Sequence, residues 1–101
     1  MKLYVKDPQA ALDYGFSFAS WLATGESVST ATWALAPTGT GAIAVDTGFP
    51  NFSSGTYNDG STVLIALQDG VVGTRYTATV HVVTNYGRED DRSFEILVQQ
   101  R

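Results

Sequence analysis

The sequence predicts an all-β fold, and three observations support this. Apolar and polar residues alternate with a period of two along residues 76–83 and again along 93–99, the pattern of strands that bury one face. Clusters of Gly, Asn and Asp separate the apolar runs at the roughly 8–12-residue spacing typical of β-sandwiches. No segment has the 3.6-residue periodicity of a helix of useful length.

Seven strands are expected in chain order. The first follows from the alternation of Leu12, Tyr14, Phe16 and Phe18, and the second from a Ser- and Thr-rich segment that contains Trp33. A short apolar run bounded by turn residues predicts a buried strand at 62–67, and the last two alternating runs are expected to pair as a hairpin. The predicted strands are 12–18, 27–35, 42–45, one near 52–57, 62–67, 76–83 and 93–99.

A tyrosine-corner pattern narrows the fold class. Gly73-Thr74-Arg75-Tyr76 places a Gly three residues before a Tyr at the start of the penultimate strand, as in Greek-key sandwiches, where the phenol bonds to upstream backbone. The prediction is an immunoglobulin-like Greek-key β-sandwich with Trp33 in the core centre. The predicted core residues are Trp33, Tyr76, Val80, Val82, Phe94 and Ile96.

The chain length fits one domain. With 101 residues, one hydrophobic core can form and two cannot. Residues 1–10 are expected to form an extended N-terminal arm, and residues 11–101 the sandwich. The apolar Leu3-Tyr4-Val5 precedes Lys6-Asp7-Pro8, so this arm either adds a strand to a neighbour's sheet edge or extends the first strand at home.

Composition excludes several kinds of protein. The chain has no Cys, which rules out disulfides and thiolate chemistry. Its net charge of −4 argues against nucleic acid as a partner. Neither a signal-peptide pattern nor about 18 consecutive apolar residues occurs, so we expect no membrane partner and a soluble protein that begins at Met1.

Candidate catalytic groups are few, and no enzyme activity, cofactor site or metal site is expected. His81 is the single His, and its mid-strand position favours an ordinary sheet residue over a catalytic base. The run from Arg88 to Arg92 lacks the spacing of a calcium loop. It is better explained as a solvated hairpin end whose charges pair locally and discourage edge-to-edge aggregation.

Aromatic residues instead indicate binding. Phe49, Phe52 and Tyr57 lie in a Gly-rich segment, and Tyr86 lies at the predicted hairpin tip beside Arg88. Exposed rings bury large areas at small entropic cost, so these residues are candidate protein-interface anchors. The first three equally suit a plug in the open end of the sandwich. A row of exposed rings would favour a carbohydrate-binding module instead.

Both flanks of the chain resemble one protein family. The residues that carry the resemblance are Lys6-Asp7-Pro8, Leu12-Asp13-Tyr14, Trp21-Leu22, Gly25-Glu26-Ser27-Val28 and Thr32-Trp33, then Tyr76-Thr77, Val83-Thr84, Gly87-Arg88, Asp91-Arg92-Ser93-Phe94, Val98 and Arg101. They resemble the fibre-tail adaptor proteins of tailed bacteriophages over roughly residues 6–35 and 73–101. The segment 37–60 shows no such resemblance.

The resemblance implies a non-enzymatic virion structural protein, present in several copies, that bridges the tail or head-tail region to fibres. Its expected partners are other virion proteins of the tail, neck, fibre or capsid. The expected contact residues are Leu3, Tyr4, Val5, Phe49, Phe52, Tyr57, Tyr86 and Arg88. A capsid cement or decoration protein is the alternative that the sequence does not separate from this one.

Overall fold

All regular elements of the described part of the chain are strands. The computed structural model describes residues 2–100, and no helix in that range is long and apolar enough to cross a membrane. The strands are β1 (Lys2–Lys6), β2 (Leu12–Ser17), β3 (Val28–Ala36), β4 (Ala44–Val45), β5 (Thr56–Asn58), β6 (Thr62–Gln68), β7 (Arg75–Thr84) and β8 (Glu89–Val98). The predicted all-β class is confirmed.

Two four-stranded sheets form a sandwich. The first has the order β1-β8-β7-β3, in which β1 runs parallel to β8 and the other neighbours are antiparallel. In the second, β6 pairs with β2 on one side and with β4 and β5 on the other. The chain therefore leaves the first sheet after β3 and returns to it at β7. The sandwich agrees with the sequence, whereas its immunoglobulin-like subclass stays a prediction.

The hairpin of β7 and β8 forms as predicted, but β8 begins earlier. Its register runs from Val83 opposite Glu89 to Arg75 opposite Leu97. Residues 89–92, which the sequence predicts as part of a solvated turn, belong to β8 because cross-strand partners on β7 hold them in the ladder. The turn is correspondingly short.

Residues 2–6 lie on the domain's own sheet as strand β1, paired in parallel with Phe94–Val98. This is the second of the two placements considered for the N-terminal segment. Lys6 is fully buried, and its ammonium donates hydrogen bonds to the main-chain carbonyls of Asp7 and Asp69 at 2.9 and 2.8 Å. Desolvation lowers the pKa of Lys6. A division at residue 10 stays a prediction.

Phe94 occupies the centre of the core, where Trp33 was expected. The Phe94 ring contacts four other rings at centroid distances between 5.4 and 6.1 Å, those of Tyr4, Tyr14, Phe16 and Trp33. Trp33 is only half-buried because β3 is an edge strand, and one flank of its indole has no neighbouring strand. The other predicted core residues, Tyr76, Val80, Val82, Phe94 and Ile96, are buried.

The tyrosine corner is present. Tyr76 Oη accepts a hydrogen bond from the Val71 N–H at 3.0 Å, five residues upstream. Because Tyr76 is buried, this bond satisfies a phenol oxygen inside the core and holds the crossing from β6 to β7. The local Gly-x-x-Tyr pattern predicted this contact.

The segment between β3 and β6 follows the edge of β6. Asp46 N–H donates to the Ala66 carbonyl and Ala66 N–H donates to the Gly55 carbonyl, both at 2.8 Å. Gly55 has a φ of +80°, and a Cβ there would lie 2.5 Å from the Val45 side chain. Glycine is thus required where this segment turns back against β4.

Candidate protein-interaction surface

The β7–β8 turn and the β2–β3 loop contact each other at one end of the sandwich. We call these residues, 21–27 and 84–88, the hairpin end. Asn85 N–H donates to the Ser27 carbonyl at 3.0 Å, and Asn85 Oδ1 accepts from the Ser27 N–H at 2.9 Å. Asn85 Nδ2 also donates to the Gly25 carbonyl at 3.3 Å. The turn is thereby fixed to a loop 58 residues earlier in the chain.

The Glu26 carboxylate organises the hairpin end from within, since its side chain is fully buried. Arg88 donates to both carboxylate oxygens, through Nε to Oε2 at 2.9 Å and through Nη2 to Oε1 at 2.5 Å. Ala23 N–H donates to Oε1 at 2.9 Å, and Thr84 Oγ1 donates to Oε2 at 2.6 Å. Four donors therefore surround a buried charge, which is the condition under which such burial is tolerated.

The electrostatics follow from these donors. Hydrogen bonds from Arg88 are the main cause that holds the pKa of Glu26 at about 2, with further help from Ala23 and Thr84. The same pair raises the pKa of Arg88. A pKa this low keeps Glu26 ionised at neutral pH, where its carboxylate pairs with the Arg88 guanidinium.

Three larger side chains cover the outside of this network. The Arg88 guanidinium lies 4.3 Å from the Trp21 ring centroid and donates to the Trp21 carbonyl at 2.9 Å. Tyr86 Oη donates to the Thr24 carbonyl at 2.8 Å while the residue remains 55% exposed. The Arg88 side chain is 45% exposed. Tyr86 and Arg88 are each held at one end and expose much of the side chain, whereas the half-buried Trp21 ring packs on Phe18 with their centroids 5.8 Å apart.

This arrangement is suited to binding. Trp, Tyr and Arg are the residue types that most often contribute binding energy at protein interfaces. Their entropic cost of ordering is small here because hydrogen bonds and the ring contact already fix them. The Tyr86 hydroxyl and both carboxylate oxygens of Glu26 are engaged by the fold, so the hairpin end offers a partner the Tyr86 ring and the exposed part of the Arg88 side chain.

A second cluster lies on the outer face of the first sheet, where His81 sits between two carboxylates of β8. His81 Nδ1 lies 2.5 Å from Asp91 Oδ1, and Nε2 lies 2.8 Å from Glu89 Oε1. These two contacts, Asp91 first, raise the pKa of His81. Among residues 2–100 no group of His, Asp and Glu is placed to hold a metal ion. Both imidazole nitrogens are already used within the fold.

The expected contact residues of β1 separate onto two faces. Leu3 and Val5 are exposed on the outer face of the sheet. Tyr4 points the other way, with its ring 4.9 Å from Tyr14 and 5.4 Å from Phe94. The Tyr4 ring therefore packs against the core, as the alternation within a strand requires, and its part in an interface stays a prediction.

The rings of the Gly-rich segment pack on one another. Phe49 and Phe52 are half-buried with ring centroids 5.0 Å apart, and Tyr57 stacks on Phe52 at 5.8 Å. Tyr57 is the exposed member of this cluster. The row of exposed rings on which a carbohydrate-binding alternative depends does not form from these three residues.

Sequence reasoning missed Trp21 and Glu26 as parts of a surface, although both lie in the segments that carry the family resemblance. A carboxylate directly after a Gly, in a loop otherwise free of charge, was the available signal for Glu26. The exposed pair Val71 and Val72, at the turn before β7, was also missed. Apolar residues at an exposed turn are a further candidate contact.

The comparisons with known proteins bear on what this surface is for. The family model described as "Podophage GP4 fiber-tail adaptor protein gp77" matches residues 6–97. The chain belongs to this family. The search of curated proteins found no match.

The family match bears on several expectations. The chain is a structural component of a bacteriophage virion and belongs to a family of phage adaptor proteins. The match spans the whole hairpin end, and it also spans residues 37–60, where the sequence alone showed no resemblance.

Proposed function

We propose that this chain joins the tail or head-tail region of a podophage virion to fibres through protein–protein contacts, and that the hairpin end is one of its two contact surfaces. The observation that carries the proposal is the ordered, exposed pair of Tyr86 and Arg88, in which the Thr24 carbonyl holds Tyr86 and the buried Glu26 carboxylate holds Arg88. A rigid aromatic and guanidinium surface binds a partner without first having to be ordered.

The second contact surface is the outer face of β1. Leu3 and Val5 are exposed there and pair with Glu95 and Leu97. These positions are seven and nine residues beyond Arg88, which places them about 25–30 Å from the hairpin end along β8. An adaptor requires two separate surfaces, and this distance allows two partners to bind at once.

Virion assembly with variant proteins tests the proposal. In phage that carries Tyr86→Ala or Leu3→Asp, we expect each variant to weaken the contact with a different neighbour, measured as fibre and adaptor copies per purified particle by quantitative mass spectrometry. Thr47→Asp, which adds the same charge as Leu3→Asp on an exposed loop, is the control and should assemble normally. Tyr86→Phe keeps the ring but loses the hydrogen bond to Thr24, and it should weaken the contact less than Tyr86→Ala does.

Three results oppose the proposal. Normal fibre and adaptor content in both variants removes these two surfaces. Loss of the same neighbour in both variants contradicts the arrangement of one partner per surface. Density for the chain over the capsid shell, in a cryo-EM map of the particle, would instead support the decoration role.

A further inference from the structure

Strand β3 has a neighbouring strand on one side only, although at its first residue Val28 is also hydrogen-bonded to Gly60 and Asn58 of the β5–β6 region. It is nine residues long and pairs with β7, and it is the last strand of the first sheet. A register shift lies between Val28 and Thr30, and from Thr30 to Ala36 the pairing is regular. These seven residues leave half of their backbone groups facing away from the sheet.

The other strand edges carry the features that prevent association. Residues 89–92 of β8, which β1 does not cover, are all charged. Strand β1 carries Lys2, and β2 carries Asp13. Strands β4 and β5 have two and three residues. Charges and short length are the usual protection of sheet edges.

The edge of β3 has none of these features. Residues 30–36 read Thr-Ala-Thr-Trp-Ala-Leu-Ala, without charge, Pro or bulge. Trp33 lies at the centre of this run and is half-buried. A regular, uncharged edge of seven residues is a template for pairing with another strand unless something covers it.

We propose that β3 pairs with β3 of a second copy of this chain, antiparallel, about a twofold axis at Trp33. This register places Trp33 opposite its counterpart and pairs every residue of the regular run. Directly opposite are Trp33 with Trp33, Thr32 with Ala34, Ala31 with Leu35, and Thr30 with Ala36. The first sheet then continues through two copies as eight strands.

Charge and shape favour a second copy as the occupant. The pairing sets no two like charges opposite each other, although the chain has a net charge of −4. Glu89 and Asp91, the acidic side chains beside His81 on the outer face of the first sheet, lie on β8, two strands away from the β3 edge. The exposed flank of the Trp33 indole is covered by its counterpart, so the axis buries the largest apolar side chain of the edge.

The mass of the purified chain in solution tests the pairing. Sedimentation equilibrium is expected to show a concentration-dependent species of twice the 10.8 kDa of one chain. Ala34→Lys adds a charge on the exposed outer face beside the axis and should weaken the dimer by about tenfold or more. Ala19→Lys makes the same change on an exposed loop and should leave the dimer intact.

Disulfide cross-linking tests the register, since the natural chain has no Cys. Thr32→Cys and Ala34→Cys chains should cross-link when mixed, and neither should cross-link alone. A disulfide between two Thr32→Cys chains would place the twofold axis at residue 32 instead of Trp33 and would overturn the register. A chain that stays monomeric at millimolar concentration, or a dimer that Ala34→Lys leaves unchanged, overturns the proposal.

Discussion

Glu26 and Arg88 lie 62 residues apart in the sequence, yet Arg88 donates to both oxygens of the Glu26 carboxylate. The pair connects the loop after β2 to the turn after β7, and these two segments lie in different parts of the sandwich topology. Because the carboxylate is buried and the guanidinium is half-exposed, the interaction belongs both to the stability of the fold and to the shape of its surface.

The acid stability of the domain should depend on Glu26. Its pKa is lowered from 4.5 to about 2 by folding, so its contribution is complete above about pH 4.5 and is lost as the pH falls toward 2. Glu26→Gln should therefore lower the stability at pH 7 and flatten its decrease between pH 4.5 and 2. Urea unfolding across this pH range measures both effects.

A double-mutant cycle measures the coupling free energy between Glu26 and Arg88, and so distinguishes their interaction from the effect of other carboxylates on acid stability. Arg88→Ala leaves Glu26 buried without its main donor and should destabilise at pH 7 more than Glu26→Gln does. The double variant should lose less free energy of unfolding than the sum of the losses in the two single variants. Additive losses would mean that the two side chains do not depend on each other.

Gly15 is expected to tolerate no side chain. A Cβ at this position of β2 would lie 2.0 Å from the Val63 carbonyl oxygen, a main-chain atom of the paired strand. Gly15→Ala should therefore destabilise the domain by about 1–3 kcal/mol, the usual cost of overpacking. Gly48→Ala is the control, because its nearest neighbour would be 3.7 Å away. Equal stability of the two variants in thermal unfolding would contradict the strand pairing.

Phe94 should be the costliest single side chain to remove. It is 1% exposed and contacts the rings of four residues from three other strands. Phe94→Ala is expected to destabilise by about 3–5 kcal/mol. Trp33→Ala should cost less, because the indole is half-buried on an edge strand. If the Trp33 variant is the less stable of the two in denaturant unfolding, Phe94 is not the core centre.

The contrast between Phe94 and Trp33 shows how much of the fold could be predicted. Alternation is local, so the strands, the β7–β8 hairpin and the Tyr76 corner follow from short sequence patterns. The order of strands in a sheet depends on distant pairings. Trp33 was expected in the centre because nothing in its segment indicates that β3 lies at an edge.

The candidate surface was predicted only in part for the same reason. Tyr86 was identified because an aromatic residue between Asn and Gly indicates an exposed turn. The charges after it resembled a solvated loop, since composition does not reveal that Arg88 reaches Glu26 or that His81 faces Glu89. Contacts between residues 58 to 62 positions apart, such as Ser27 with Asn85 and Glu26 with Arg88, cannot be predicted until the fold is known.

His81 should make the domain less stable as the solution becomes more alkaline. Asp91 and Glu89 raise its pKa above 6.5, so the imidazolium stabilises the fold fully below pH 6.5, and this contribution is lost as the pH rises through the raised pKa. The partners from β8 are carboxylates, and the residue opposite on β3 is the uncharged Thr32.

The sequence has no other His, so His81→Gln should remove most of this pH dependence of stability. Because all three charged side chains are substantially exposed, salt should weaken the effect. The measurement is the urea midpoint of both proteins at pH 5.5 and 8.5, in low and high salt. A natural chain that is equally stable at both pH values in low salt would show that His81 does not remain between Glu89 and Asp91 in solution.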